Sequence, residues 1–235
     1  MTEIITKIRQ ELTDNSFESV RESTKRFFKE NIKSYGVKSA TVKKICSDNF
    51  KLVKNLGKIE IFKLCEELWR SGFLEDTFIA SEWAYKLRDN YKPEDFIVFE
   101  RWVGNYIANW ASCDTFCNHS VGSFIETYPE YLGELKKWAT SQNRWVRRAS
   151  AVSLIVPAKK GLFLNDIFEI SDILLKDTED MVQKGYGWML KVASSVYEQK
   201  VFDYVLRNKS NMPRTALRYA IEKMPKELKI EAMEK

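Results

Sequence analysis

Nowhere does the sequence hold the roughly 20 consecutive apolar residues that a membrane span needs. Met1 to Leu12 alternates charge with Ile4, Ile5 and Ile8 at helical spacing, so it carries neither region of a secretory leader. A cytoplasmic protein without membrane association is expected. Glycine and proline are scarce, at 9 and 5 of 235 residues, and strand-like alternation is missing. Most of these breakers fall between segments of helical period, which predicts an all-α chain. His119 is the only histidine, so mechanisms that need an imidazole base have one candidate. The four cysteines, Cys46, Cys65, Cys113 and Cys117, lie scattered in helical patterns and read as reduced thiols rather than a disulfide framework.

What is present is ordinary in amount and uneven in placement. With 44% apolar and 30% charged residues, the chain can bury a substantial core as one large domain or one repeat array, and disorder is not expected. The net charge is +5. Residues 1–140 balance 21 Lys and Arg against 21 Asp and Glu, whereas residues 141–235 carry 17 against 12. A one-sided excess points to a polyanionic partner, although +5 alone is unremarkable at this size.

Periodicity and breakers predict about fourteen helices, beginning with Thr2–Leu12, Phe17–Asn31 and a helix introduced by Gly36 and Ser39. Pro93 opens a helix from Glu94 to Trp110, a second runs from Ser112 to Tyr128, and Asn143 caps one that stops at Pro157. The loop after it holds Lys159 and Lys160. Arg148-Ala149-Ser150-Ala151 and Lys184-Gly185-Tyr186-Gly187 share a basic residue followed by small, any, small, 36 residues apart, and Leu217-Arg218-Tyr219-Ala220 is a looser echo. Small residues there let neighbouring helices pack closely. One such unit per helix pair, at a spacing inside the roughly 30–47 range of helical repeats, predicts a single HEAT-like α-solenoid over 1–235. Its concave face would gather Arg144, Arg147, Arg148, Lys184, Lys191, Arg214 and Arg218 into a basic groove suited to a duplex backbone.

The stretch Asn105–Phe116, NYIANWASCDTF, places Trp110 and Asp114 four apart around an expected helix start. Ser112 is the expected N-cap, Trp110 the end of the preceding helix, and Asp114 a first-turn carboxylate favoured by the helix dipole. Taken alone, both residues are ordinary structural features. Joined with Asn143-Arg144-Trp145-Val146-Arg147-Arg148-Ala149 and Val182-Gln183-Lys184-Gly185-Tyr186-Gly187-Trp188, the chain resembles the AlkD-type DNA alkylation repair proteins, from the second helix to about Ala220.

That resemblance implies a C-shaped right-handed superhelix with duplex DNA in a basic concave cleft. It implies hydrolysis of the N-glycosidic bond of cationic N3- or N7-alkylated purines, with the damaged base left stacked rather than flipped. Asp114 stands where the family has its catalytic carboxylate, Trp110 and Trp188 where two indoles flank the sugar, and Arg148 where a basic residue meets the backbone. Ser39 and Lys43 fall at early backbone contacts, and Phe27 at a lesion-side aromatic hydroxyl. An alkylated purine is already a good leaving group, so the barrier lies in the oxocarbenium-like sugar. A carboxylate stabilises that cation and orients a water, and each indole face adds roughly 0.5–2 kcal/mol. No cofactor is required, and one chain suffices to grip a duplex.

Two departures stand out. Asn109 replaces an aromatic before the first tryptophan, and Phe27 lacks the family's hydroxyl. Relatives that keep the fold but only bind duplex or branched DNA are therefore the alternative reading, and a HEAT-type protein scaffold is a third. Cys113, Cys117 and His119 supply three metal-ligand types, but structural zinc takes four and no fourth is apparent. Lys159-Lys160 and Lys43-Lys44 read equally as solvated faces or phosphate contacts. Trp69, Trp83, Trp102, Trp138 and Trp145 are expected in the core.

Overall fold

A computed structural model describes residues 2–234, and among them every extended element is helical. Pairing of strand type is limited to two isolated bridges, Ser16–Val37 and Lys33–Phe73. The helices sort into two units, Met1–Phe116 and Cys117–Lys235.

In the first unit the helices are α1 (Thr2–Asp14), α2 (Glu18–Phe27), α3 (Ser39–Val53), α4 (Lys58–Ser71), α5 (Leu74–Lys86), α6 (Asp95–Tyr106) and α7 (Trp110–Phe116). Packing alternates: α3 meets α5 and α5 meets α7, while α1 meets α4 and α4 meets α6. Two rows result, as stacked helix pairs require. Between the rows lies an aromatic core in which Phe116 touches Trp69, Phe99 and Trp102 at ring-centroid distances of 5.6, 5.4 and 5.7 Å. Trp69, Trp83 and Trp102 are buried, as expected, and the Trp83 indole donates to the Cys46 carbonyl at 3.0 Å. The segment ahead of α3 is held by one side chain. Glu75 accepts from Ser34 Oγ and from the amides of Tyr35, Gly36 and Val37, at 2.8–3.2 Å. Gly36, at φ +84°, lies so close to Phe17 that a Cβ would sit 2.7 Å from the Phe17 carbonyl oxygen, so only glycine fits.

The second unit opens with a π-helical turn, Cys117–Val121, followed by α8 (Gly122–Thr127), α9 (Leu132–Trp138), α10 (Arg144–Val152) and α11 (Ile155–Lys159). It continues through α12 (Leu164–Leu174), α13 (Asp180–Ser194), α14 (Glu198–Asn208), α15 (Arg214–Ala220) and α16 (Lys226–Met233). Again one row forms from α10, α13 and α15, and the other includes α9 with α12 and α14 with α16. The small residues do what their spacing predicts. A Cβ on Gly187 would lie 2.7 Å from Tyr219 Cβ and 2.8 Å from the Ala216 oxygen, so α13 and α15 approach as only glycine allows.

Several expected boundaries move. The described residues form sixteen α-helices rather than fourteen, because the helix drawn from Ser112 to Tyr128 is α7 and α8 separated by the π-turn, and the one ending at Pro157 is α10 and α11. Pro157 is the third residue of α11, where its missing N–H leaves no intrahelical bond unmade. Lys159 therefore ends a helix instead of lying in a loop. Helix α2 stops at Phe27, four residues early, and buries none of its side chains.

Candidate functional site

In the first unit, the strip that carries Trp110 and Asp114 is set by how α7 begins. Helix α6 ends at Tyr106, Ile107 turns to extended backbone, and Asn109 accepts from the Ser112 amide through Oδ1 at 2.9 Å. Asn109, not Ser112, is thus the N-cap. Trp110 becomes the first residue of α7 rather than the last of α6, and Asp114 lies in the second turn, where the helix dipole acts on it more weakly than expected. Four residues apart on one helix, the two side chains share a face, and both are partly exposed.

Trp110 is framed by α2. Its indole stacks on Phe28 at 5.3 Å and meets Phe27 edge-on at 5.7 Å. Phe27 is 68% exposed beside Trp110. Phe28, at the C-cap of α2, is a neighbour of Trp110 that no sequence motif singles out. Alongside lies a cavity of about 400 Å³ with walls from α2, α3, α5 and α7, including Val20, Val42, Leu74, Phe78 and Thr115. Ser39 and Lys43 line it and are exposed, at the start of α3, whose first turn has no side-chain cap and no acidic residue.

In the second unit, the basic candidates of α10, α13 and α15 lie on one row, as expected, but in unequal states. Arg148 is 5% exposed, donates through Nη1 to the Met181 carbonyl, and packs against Gly185, where a Cβ would lie 3.3 Å from its Cγ. Trp188, three residues beyond Gly185, is partly exposed on that side of α13. Lys184 pairs with Asp180 at 2.8 Å, and Lys191 with Glu222 at 3.0 Å while lying over the Tyr219 ring. Arg144 pairs with Glu179 at 3.1 Å and covers the Trp145 ring. Arg214 and Arg218 are exposed, four apart on α15, with no ion pair among the described residues. Lys160 pairs with Glu126 at 2.6 Å, while Lys159 is exposed and makes none among the described residues.

Arg147 departs furthest from its expected role as a backbone contact. Its guanidinium clasps Asp177 at 2.5 and 3.3 Å and donates to the Ser141 carbonyl at 2.9 Å, with side-chain exposures of 17% for Arg147 and 7% for Asp177. Its donors are turned inward, tying α10 to the segment before α13. Cys113 and Cys117 are fully buried, and among the described residues no three His, Cys, Asp or Glu side chains are placed to hold a metal ion.

A family profile described as DNA alkylation repair enzyme matches residues 8–224. The chain belongs to that family. Among solved structures, a DNA alkylation repair enzyme from Enterococcus faecalis, itself described as a predicted one, shares the fold at a TM-score of 0.80. It is 16% identical, over 90% of this chain and 98% of that one. Comparison with the curated proteins finds no match. Among the described residues of this alkylation repair family member, no helix is long and apolar enough to cross a membrane.

Proposed function

We propose that the chain is a DNA glycosylase that hydrolyses the N-glycosidic bond of cationic N3- or N7-alkylated purines in duplex DNA, leaving the base stacked. The observation that carries this reading is the pairing on α7: a carboxylate, Asp114, one turn beyond an indole, Trp110, both partly exposed beside the open Phe27 ring. Asp114 stabilises the sugar cation as the bond breaks and orients the attacking water, and Trp110 presents a quadrupole to the same charge. Trp188 supplies a second indole and Arg148 a backbone contact. Phosphates are held by Ser39, Lys43, Lys159, Lys160, Arg144, Lys184, Lys191, Arg214 and Arg218, with Arg147 kept out by its clasp on Asp177. One chain, as a single HEAT-like array, acts alone and without a cofactor.

The cavity beside α7 is a poor seat for the damaged base. That base is cationic, the charged lining is Lys38, Lys43 and Glu75, and Glu75 already accepts four hydrogen bonds. Stacked recognition avoids that conflict.

The test is release of 7-methylguanine and 3-methyladenine from methylated duplex by the purified protein. Asp114→Asn is expected to abolish release while duplex affinity changes less than about two-fold, because the carboxylate acts in the transition state. Arg148→Ala is expected to weaken affinity and release together. Full activity in Asp114→Asn ends the mechanism. Duplex binding without release by the wild-type protein selects the non-catalytic binder, and neither binding nor release selects the scaffold.

A further inference from the structure

We infer that Asn109 is a positioning residue for Trp110 and Asp114, acting through Ser112 and Thr77; this rests on the glycosylase reading above. Asn109, Ser112 and Thr77 are 7%, 3% and 4% exposed, so water offers them little compensation. Four contacts link them: Ser112 N to Asn109 Oδ1 at 2.9 Å, Asn109 Nδ2 to Ser112 Oγ at 3.1 Å, Ser112 Oγ to Thr77 Oγ1 at 2.9 Å, and Thr77 Oγ1 to the Leu74 carbonyl at 2.8 Å.

One arrangement of protons uses all four. The Leu74 carbonyl only accepts, so Thr77 donates to it. Thr77, having spent its single proton, accepts from Ser112, and Ser112 in turn accepts from the Asn109 amide. The Ser112 amide can only donate, which fixes Oδ1 of Asn109 towards it. The chain therefore runs in one direction from Asn109 to α5, and it fastens the first turn of α7 to a neighbouring helix of the same row.

That turn decides where the reactive side chains stand. Trp110 follows Asn109 directly and Asp114 lies one turn later on a helix of only seven residues. Starting α7 one residue later would rotate both by about 100° about the helix axis. Asn109 here does the work of a cap.

The test compares Asn109→Leu, Asn109→Asp and Thr77→Val with wild type in three measurements: single-turnover base release at saturating protein, duplex affinity, and amide hydrogen exchange over 110–116. Asp keeps an acceptor for the Ser112 amide, Leu does not, and Val removes only the far end of the chain. Asn109→Leu is expected to slow release and to quicken exchange at 110–116 by about ten-fold each, the scale of a lost cap, with affinity within about two-fold. Asn109→Asp is expected to restore both to within about three-fold of wild type, and Thr77→Val to fall between. Unchanged exchange in Asn109→Leu, or an Asn109→Asp variant as impaired as Asn109→Leu, overturns the inference. Slow release that merely follows the unfolded fraction does the same. If Asn109→Leu does not fold, wild-type exchange and release in Thr77→Val overturn it. If the wild-type protein releases no base, the glycosylase reading fails, and the exchange measurement still judges the positioning.

Discussion

Asp76 has no exposed side-chain surface, and its cation, Arg9, lies 3.4 Å away with about a third of its own side chain in solvent. Burial raises the Asp76 carboxyl above its usual range, while hydrogen bonds from Ser71 and Arg9 and the charge of Arg9 pull the other way. Tyr35 is pushed up to about 12, first by its own burial and then by the charge of Asp76. A raised carboxyl means that the folded chain holds this proton more tightly than the unfolded chain. Its contribution to stability is full below the ordinary carboxylate value and is lost as pH climbs through the folded one. Asp76→Asn cannot ionise. The stability of wild type minus that of the variant should therefore be greatest below about pH 4 and shrink towards neutrality, in thermal melts across that window. A difference that grows with pH contradicts this.

Residues of strong, unshared character were readable in advance. The five tryptophans assigned to the core are buried, and Asn143 caps α10 by accepting from the Trp145 amide at 2.9 Å. Asn109 and Ser112, three residues apart, have the same capping chemistry, and nothing local says which of the two the backbone will use.

Among elements, the repeat spacing of 36 residues did foretell that α10 and α13 share a row, because close packing between helices needs small residues at fixed positions. Gly187→Ala tests this against helix propensity. Its Cβ would meet backbone and Cβ atoms of α15 below 3 Å, so overpacking of about 1–3 kcal/mol should outweigh the gain of up to about 1 kcal/mol from replacing a helical glycine. Gly133→Ala in α9, with nothing within 4 Å of the new atom, should be neutral or stabilising. Denaturant midpoints decide both, and the reverse order refutes the packing argument. The pairing of the cations was not readable. The acids that hold Arg147, Arg144 and Lys191, namely Asp177, Glu179 and Glu222, come from 30–35 positions away, and only the folded row brings them near.

For the molecule as a whole, that pairing matters more than the net charge of +5. Of the basic candidates, Lys43, Lys159, Arg214 and Arg218 carry no ion pair among the described residues, whereas Arg144, Lys160, Lys184 and Lys191 exchange one anion for another when they meet a phosphate. If those four neutralise phosphates, the slope of log affinity for duplex against log salt should be about −3 to −4. Replacing any one of them by alanine should make it shallower by about 1, in titrations between 50 and 200 mM salt. A slope near zero removes DNA from the proposal. A shared fold at 16% identity with the Enterococcus faecalis enzyme has a related cause: helical period and small-residue contacts, not particular side chains, specify this architecture.

Helix α2, none of whose residues is fully buried, also carries Phe27. With no fully buried residue, it can open at lower free-energy cost than the buried helices of the first unit. A duplex arriving at Phe27 would meet a lightly anchored helix, and holding it in place would draw on part of the affinity. On the function proposed above, association there would be quick to begin and quick to reverse.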